Sequence, residues 1–444
     1  MPRKSQAPSQ TVDLFFSIAQ ALGLEDDRTL AALAGVSQET IANWRSGSVQ
    51  ELKAQKLEAV KRGLRARINA LEESAGLRRA DPADGLVSLE VEVDSSPVAL
   101  QRQLRDRVHY DYLGHRFLYF EAPGALAWEN LIATGYEQDY WLQGVGECAS
   151  AWLDNARDAR GQCRGPLAKA LGFTRRAKAR GLDVISLGPG EGGKEVLILE
   201  SILGLQKRAE QLLPWLTIAL ADVSIPLLMK AATATRLQAR DQAMVLPVCA
   251  DFEEGSLRFI SRLPTNNTDP EDGLRLVLIL GNVFGNLRDE EAFVKHRLAR
   301  LLRKGDRLWI EVGTRPDRIE SDPLYDLTRT DRKETAGQAN RRLLLEGPYR
   351  RWEAAMGRRP SPIDLRVSLR EDDDSARVPG SCNFCHDLVF VDERRTCTML
   401  YSRRYQIEGL SKWFERQSFE VERVVHVSDS KRRPRVAHLL LRKR

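Results

Sequence analysis

Leu187-Gly188-Pro189-Gly190-Glu191-Gly192-Gly193-Lys194 is the stretch whose reading decides the fold. It follows Asp183-Val184-Ile185-Ser186, a strand-like run, and precedes apolar-periodic residues 195–205, which read as a helix. A glycine turn between strand and helix is the elementary unit of a nucleotide-type site. Its glycines let a ligand approach the backbone closely. The first turn of the following helix offers amide donors that have no partner inside the helix. One such turn is weak evidence alone, so the downstream segments decide what it belongs to.

Residues 215–221 read as a second strand that closes on Asp222. An acid at this place can accept both ribose hydroxyls of a nucleoside. It comes later than the ~20-residue spacing of a dinucleotide fold, so the intervening helix is longer. The plainer role for Asp222 is the cap of the next helix. A third strand, 245–250, ends at Asp251-Phe252. Residues 274–280 are continuously apolar, as a strand buried on both faces requires, and lead into Gly281-Asn282-Val283-Phe284-Gly285-Asn286. A helix-like segment over 289–303 and a fifth strand over 305–313 follow. This alternation predicts an α/β fold with a doubly wound parallel sheet. Ligands in such sheets sit at the carboxyl ends of the strands, where all of these motifs fall.

The chain has 444 residues, enough for two or three domains and a large core. Hydrophobic residues make up 42% and charged residues 29%, an ordinary soluble balance. No apolar run reaches the roughly 18 residues of a membrane span. Met1-Pro2-Arg3-Lys4-Ser5 leads into no signal-peptide core, so no membrane association and a cytoplasmic location are expected. A net charge of +6 permits nucleic-acid contact without demanding it. The basic run at 430–444 reads as a solvated end after a strand over 436–441. Six cysteines in such a chain suggest thiols rather than a disulfide framework. Cys382-Asn383-Phe384-Cys385-His386 has haem-attachment spacing, and Cys397 could complete a zinc set. No second C-x-x-C pair accompanies it, and no metal is expected.

Residues 11–70 form a helical segment of their own. The stretch 30–47 reads as helix, tight turn, helix, with Gly35 at the turn and Ser37 capping the second helix. Ala34, Val36, Ile41 and Trp44 are expected between the helices. The stretch resembles a Cro/repressor-type helix-turn-helix. That resemblance implies DNA contact through Gln38, Glu39, Thr40 and Asn43, with Arg45 and Lys53 meeting phosphates. One such module per chain calls for a homodimer. The bland alternative is a small bundle used for docking. Residues 71–97, rich in Ser, Gly, Asp and Pro, read as a linker, and 98–444 as the main domain.

The order of motifs after the glycine turn resembles the histidine-specific SAM-dependent methyltransferase family, which includes the ergothioneine-pathway histidine α-N-methyltransferases. These motifs read LGPGEGGKE, ADVS, ADF, LILGNVFGN and KGDRLWIEVGT. Coverage runs over about 105–444, with a Rossmann-like core near 180–315 and substrate-binding parts near 105–175 and 316–444. The resemblance implies a class I methyltransferase sheet and S-adenosyl-L-methionine (SAM) as cofactor. Cofactor contacts then fall on Gly188, Gly190, Lys194, Asp222, Asp251 and Phe252. Substrate contacts fall on Tyr140, Gly281, Asn286, Tyr325 and Ser402, with Asn286 and Tyr325 doing the catalytic work. Two positions depart from the family pattern. Leu400 replaces an acid that helps select histidine, and Phe120 replaces a tyrosine. Leucine accepts no hydrogen bond, and sites built on such bonds discriminate by about 10⁴ or more. The expected substrate is therefore a different amino acid or small amine. The competing expectation is a DNA-binding regulator whose methyltransferase-like domain senses SAM or a metabolite.

Overall fold

The computed structural model describes residues 10–21, 26–34, 36–46, 60, 89–92, 97–119, 122–133, 139–156, 164–173, 178–328, 336–371 and 378–444. Eight strands form the central sheet: β1 (Glu90–Val91), β2 (Gly181–Leu187), β3 (Leu216–Asp222), β4 (Met244–Cys249), β5 (Gly273–Ile279), β6 (Arg307–Gly313), β10 (Phe419–Ser428) and β11 (Pro434–Lys443). Their order is β1-β4-β3-β2-β5-β6-β11-β10. The six strands from β1 to β6 are parallel, whereas β11 runs antiparallel between β6 and β10. Order reverses between β2 and β5, the switch point where a doubly wound sheet binds ligands.

Burial explains why these segments are strands. Every residue of β2, β3, β5 and β6 is buried. Along β2 the side chains alternate: Leu182 and Val184 join the core on one face, Ile185 and Leu187 the core on the other. The helix Gly193–Ala209 covers the first face with Ile198, Leu199, Ile202 and Leu205. The helix Ile407–Arg416 presents Ile407, Leu410, Trp413 and Phe414 to the second, at helical spacing.

A separate antiparallel sheet contains β7 (Ile363–Arg370), β8 (Cys382–Phe390) and β9 (Arg395–Arg404), in that order. The bridge Thr314↔Tyr405 joins its last strand to the loop after β6.

The structure refines the expected organisation at several places. The helix expected over 289–303 is present over 290–301, with a π turn, Val294–Leu298, inside it. Glu90–Val91, inside the expected linker, pairs with β4, and Glu92 accepts the Arg258 N–H at 2.7 Å. That part of the linker therefore belongs to the sheet. The cysteine cluster lies in the antiparallel sheet, with Cys382, Cys385 and Cys397 buried as free thiols. His386 packs against Arg341, and burial holds its imidazole well below the usual pKa.

At the N-terminal end, the helices Asp27–Ala34 and Gln38–Arg45 are three residues apart. Ser37 Oγ caps the second by accepting the Thr40 N–H at 3.2 Å. Ile41 and Trp44 bury against Val12, Phe15 and Leu30. Gly35 and Lys53 lie outside the described residues.

Candidate cofactor and substrate site

A cavity of about 290 Å³ opens at the switch point, beneath the glycine turn. Gly188, Gly190 and Gly192 have φ of +70°, +58° and +84°, values that a side chain rarely adopts. At Gly192 a Cβ would also lie 2.7 Å from Ala231 Cα. At Gly190 it would meet nothing within 4 Å, so this glycine faces open space. The turn delivers the chain into the first residues of the helix Gly193–Ala209, and Gly193 and Lys194 line the cavity.

Asp222 ends β3 and lines the cavity at 7% exposure. One carboxyl oxygen accepts the Ser224 N–H at 2.8 Å. Burial pushes the carboxyl up to about 6, against the pull of the Ser224 and Gly190 amides. Phe252, also in the lining, packs edge-on to Phe293 and beside His115, 6.2 Å away. Asp251 is not in the lining. Its carboxylate accepts the Glu253 and Glu254 N–H groups and holds Arg116 at 2.6 Å, so it fixes the turn that presents Phe252.

Beneath the turn lies a polar group that the sequence did not assign. Glu311, fully buried near the end of β6, accepts the Gly281 N–H at 2.5 Å and pairs with Lys194 Nζ at 3.2 Å. Lys194 also stands 5.2 Å over the Trp141 ring. Burial raises the Glu311 carboxyl, while Lys194 and the Gly281 amide oppose the rise. Glu195 Oε1 accepts the Ser186 hydroxyl at 2.7 Å, and burial pushes this carboxyl up to about 7. Glu311 holds together the β5 turn, β6 and the glycine turn. No motif marked it, because its role depends on strand neighbours distant in sequence.

On the far side of the cavity, Gly281 and Asn286 line the wall. Asn282 has φ +60° and is buried. Its Oδ1 accepts the Gly313 N–H at 2.9 Å, which turns Nδ2 toward Asn286 Oδ1 and Ser402 Oγ, each at 3.5 Å. Asn286 and Ser402 are thus gathered around one buried carboxamide, but only Asn286 lines the cavity; Ser402 is buried behind it. Arg404 donates to Ser402 Oγ at 3.1 Å and to Asp322 at 2.7 Å. The loop carrying Tyr325 is therefore tied to β9, yet Tyr325 itself is half-buried and not in the cavity lining. Tyr140 belongs to the helix Asp139–Trp152, but its side chain lies outside the described residues, as does Phe120. Leu400 is buried in an apolar cluster with Leu113, Phe117 and Met399.

These features fit SAM. A glycine turn with room for a ligand, a buried acid at the end of the next strand and an aromatic wall after the third suit a nucleoside. The combination defines a SAM-dependent methyltransferase domain of the class I, doubly wound kind. Residues 168–326 match the family model described as histidine-specific methyltransferase, SAM-dependent, and SAM is the cofactor of this domain. No curated protein matches the chain. Among solved structures, magnesium protoporphyrin IX methyltransferase from Synechocystis is 13% identical over 73% of this chain and 97% of its own, with TM-score 0.35. The 1,6-didemethyltoxoflavin-N1-methyltransferase of Burkholderia thailandensis is 13% identical over 72% and 87%, with TM-score 0.33. A SAM-dependent methyltransferase from Clostridium acetobutylicum is 10% identical over 59% and 84%, with TM-score 0.30. At these scores the likenesses add nothing to the strand order. The family match does not reach the N-terminal helices, and no described helix is long and apolar enough to cross a membrane.

Proposed function

We propose that the protein transfers the methyl group of SAM to the nitrogen of an amino acid or related small amine, with a selectivity distinct from that of histidine α-N-methyltransferases. The observation that carries this reading is Asn286, a carboxamide in the cavity wall, held beside Ser402 by buried Asn282. When bound, SAM supplies an electrophilic sulfonium methyl with a good leaving group. The protein's task is then mainly to position a neutral nitrogen lone pair. Asn286 holds the amine through its side-chain oxygen. Tyr325 aligns the amine or relays its proton, directly or through water. Gly281 and Tyr140 complete the amine end, and Ser402 faces the substrate side chain. Gly188, Gly190 and Lys194 hold the cofactor. Asp222 accepts the ribose hydroxyls, Phe252 packs on the adenine, and Asp251 contributes by shaping the turn before it.

Leu400 is not in the cavity lining, and it bears on the substrate only through the resemblance, which puts an acid that helps select histidine at this position. It sits among apolar neighbours and offers no acceptor to an imidazole N–H.

The test is methyl transfer from labelled SAM to a panel of free amino acids and small amines, histidine included and DNA absent, read by mass spectrometry. A methylated non-histidine amine is the expected product. Exclusive methylation of histidine would remove the role given to Leu400. No product from a protein that still binds SAM would overturn the enzyme reading.

That last outcome would favour the second reading, a DNA-binding regulator. Gln38, Glu39 and Asn43 are exposed on the helix Gln38–Arg45, with Thr40 half-exposed beside the Ser37 cap. Arg45, expected at a phosphate, pairs instead with Asp27 at 2.9 Å and stacks over Phe16. SAM-dependent retardation of a DNA operator, with a homodimer as the binding species, is the measurement that favours this reading.

A further inference from the structure

A second pocket, of about 490 Å³, lies beside the antiparallel sheet and has no part in the chemistry above. Four guanidinium groups line it: Arg288, Arg370, Arg394 and Arg395. Among the described residues, Asp111 is the single carboxylate in the lining. Arg370 is drawn to Asp387 at 3.3 Å, and Arg395 is held by Glu393 at 3.0 Å. Neither Arg288 nor Arg394 forms an ion pair among the described residues. Arg288 instead stands 5.2 Å over the ring of Tyr112. Tyr112 also lines the pocket and stacks on Tyr401 at 5.2 Å. It is 8% exposed, and its hydroxyl has no hydrogen-bond partner among the described residues. A buried hydroxyl left unpaired is costly unless a ligand or water satisfies it.

Like charges gathered in a concave site repel one another unless an anion joins them. Guanidinium forks match the oxygens of a phosphate in pairs, which is why arginine dominates such sites. We propose that this pocket binds a small molecule bearing a phosphate-type dianion, held between Arg288 and Arg394 with Arg370 and Arg395 at its flanks. The pocket adjoins the catalytic end of the domain through the chain itself. Arg288 is two residues beyond Asn286, and Tyr401 precedes Ser402 on β9. A bound dianion therefore fixes the turn and strand that carry two substrate-side residues.

The experiment is calorimetric titration of the full-length protein with inorganic pyrophosphate, in low salt and with S-adenosylhomocysteine saturating the glycine-turn site. Binding with a Kd of about 1 mM or tighter is expected. The double substitution Arg288→Gln and Arg394→Gln should weaken it at least about tenfold and leave S-adenosylhomocysteine affinity unchanged. The single change Arg394→Gln, on an exposed hairpin turn, serves where the double variant folds poorly, and should weaken binding by several-fold. Absence of pyrophosphate binding overturns the proposal, as does binding that survives the substitutions. Sulfate binding as tightly as pyrophosphate would reduce the site to a counter-ion patch. Displacement of pyrophosphate by a short DNA duplex would replace the small-molecule ligand with nucleic acid.

Discussion

The carboxyl ends of the parallel strands and the pocket beside the antiparallel sheet are both polar, and they are built in opposite ways. At this end of the sheet, acids are buried: Asp222, Glu195 and Glu311, the last two beside the amine of Lys194. Burial raises all three carboxyls; backbone amides pull against it at each, and Lys194 does so at Glu195 and Glu311. In the second pocket the charges are cations nearer the surface, and solvent carries much of the desolvation that the first site must meet with its own dipoles. Depth decides the chemistry. The buried site can hold an acid close to neutrality, whereas the shallow one can only collect a counter-charge.

The sharpest way to break this comparison is at Asn286, where the buried site is assigned its chemistry. Asn286→Ala should lower turnover by about 100-fold or more, on the scale of losing a positioning group at the reacting centre. SAM affinity should stay within a factor of about two, since no charged group is lost. Single-turnover methyl transfer together with SAM titration separates the two quantities. Turnover within tenfold of the parent would take Asn286 out of the mechanism.

Asp222→Asn addresses the cofactor half. Asparagine keeps the shape and one acceptor for the Ser224 amide, but loses the charge. Hydrogen bonds to charged groups contribute about 1.5–3 kcal/mol, so SAM affinity should fall roughly 10- to 100-fold. The parent's affinity should also fall as pH drops through about 6, where Asp222 takes up a proton and stops accepting from both ribose hydroxyls. The variant should show a flatter pH profile. Equal pH dependence in the two proteins would assign the titration to another group.

How much of this was legible in the sequence differs between the two regions for a physical reason. Strands buried on both faces are continuous apolar runs, so β2, β3, β5 and β6 could be placed from composition alone. Their ligand-facing residues follow directly in the chain, and Gly188, Gly190, Lys194, Asp222, Phe252, Gly281 and Asn286 do line one cavity. Asp251 was placed correctly at a strand end, but its carboxylate is taken by Arg116, a partner no local pattern announces. The helix expected over 289–303 is there over 290–301, but its internal π turn was not legible, because a π turn keeps helical periodicity while shifting its hydrogen bonds by one residue. Glu311 and the arginine pocket were invisible. The pocket's members come from 111–112, 288, 370 and 394–401, and only strand pairing and hairpin closure bring them together.

Glu195 offers the smallest effect and the most direct reading of depth. Its carboxyl is buried, accepts the Ser186 hydroxyl, and is pushed up to about 7 from an ordinary value of 4.5. Between those values the folded chain holds a proton that the unfolded chain has released. Glu195 therefore favours the folded state below pH 4.5, and that contribution is lost as pH rises through about 7. Lys194 partly offsets the cost of ionisation, and Glu311 adds to it. Glu195→Gln keeps an acceptor for Ser186 and removes the titration. The stability difference between variant and parent should then move in the variant's favour by on the order of 1–3 kcal/mol across this window. Urea unfolding at a series of pH values measures it, with Asp222 and Glu311 common to both proteins and cancelling from the difference to first order. A difference that stays constant with pH would mean that Glu195 is ionised in the folded chain throughout, stabilised by Lys194 and the helix N-terminus more strongly than burial opposes it.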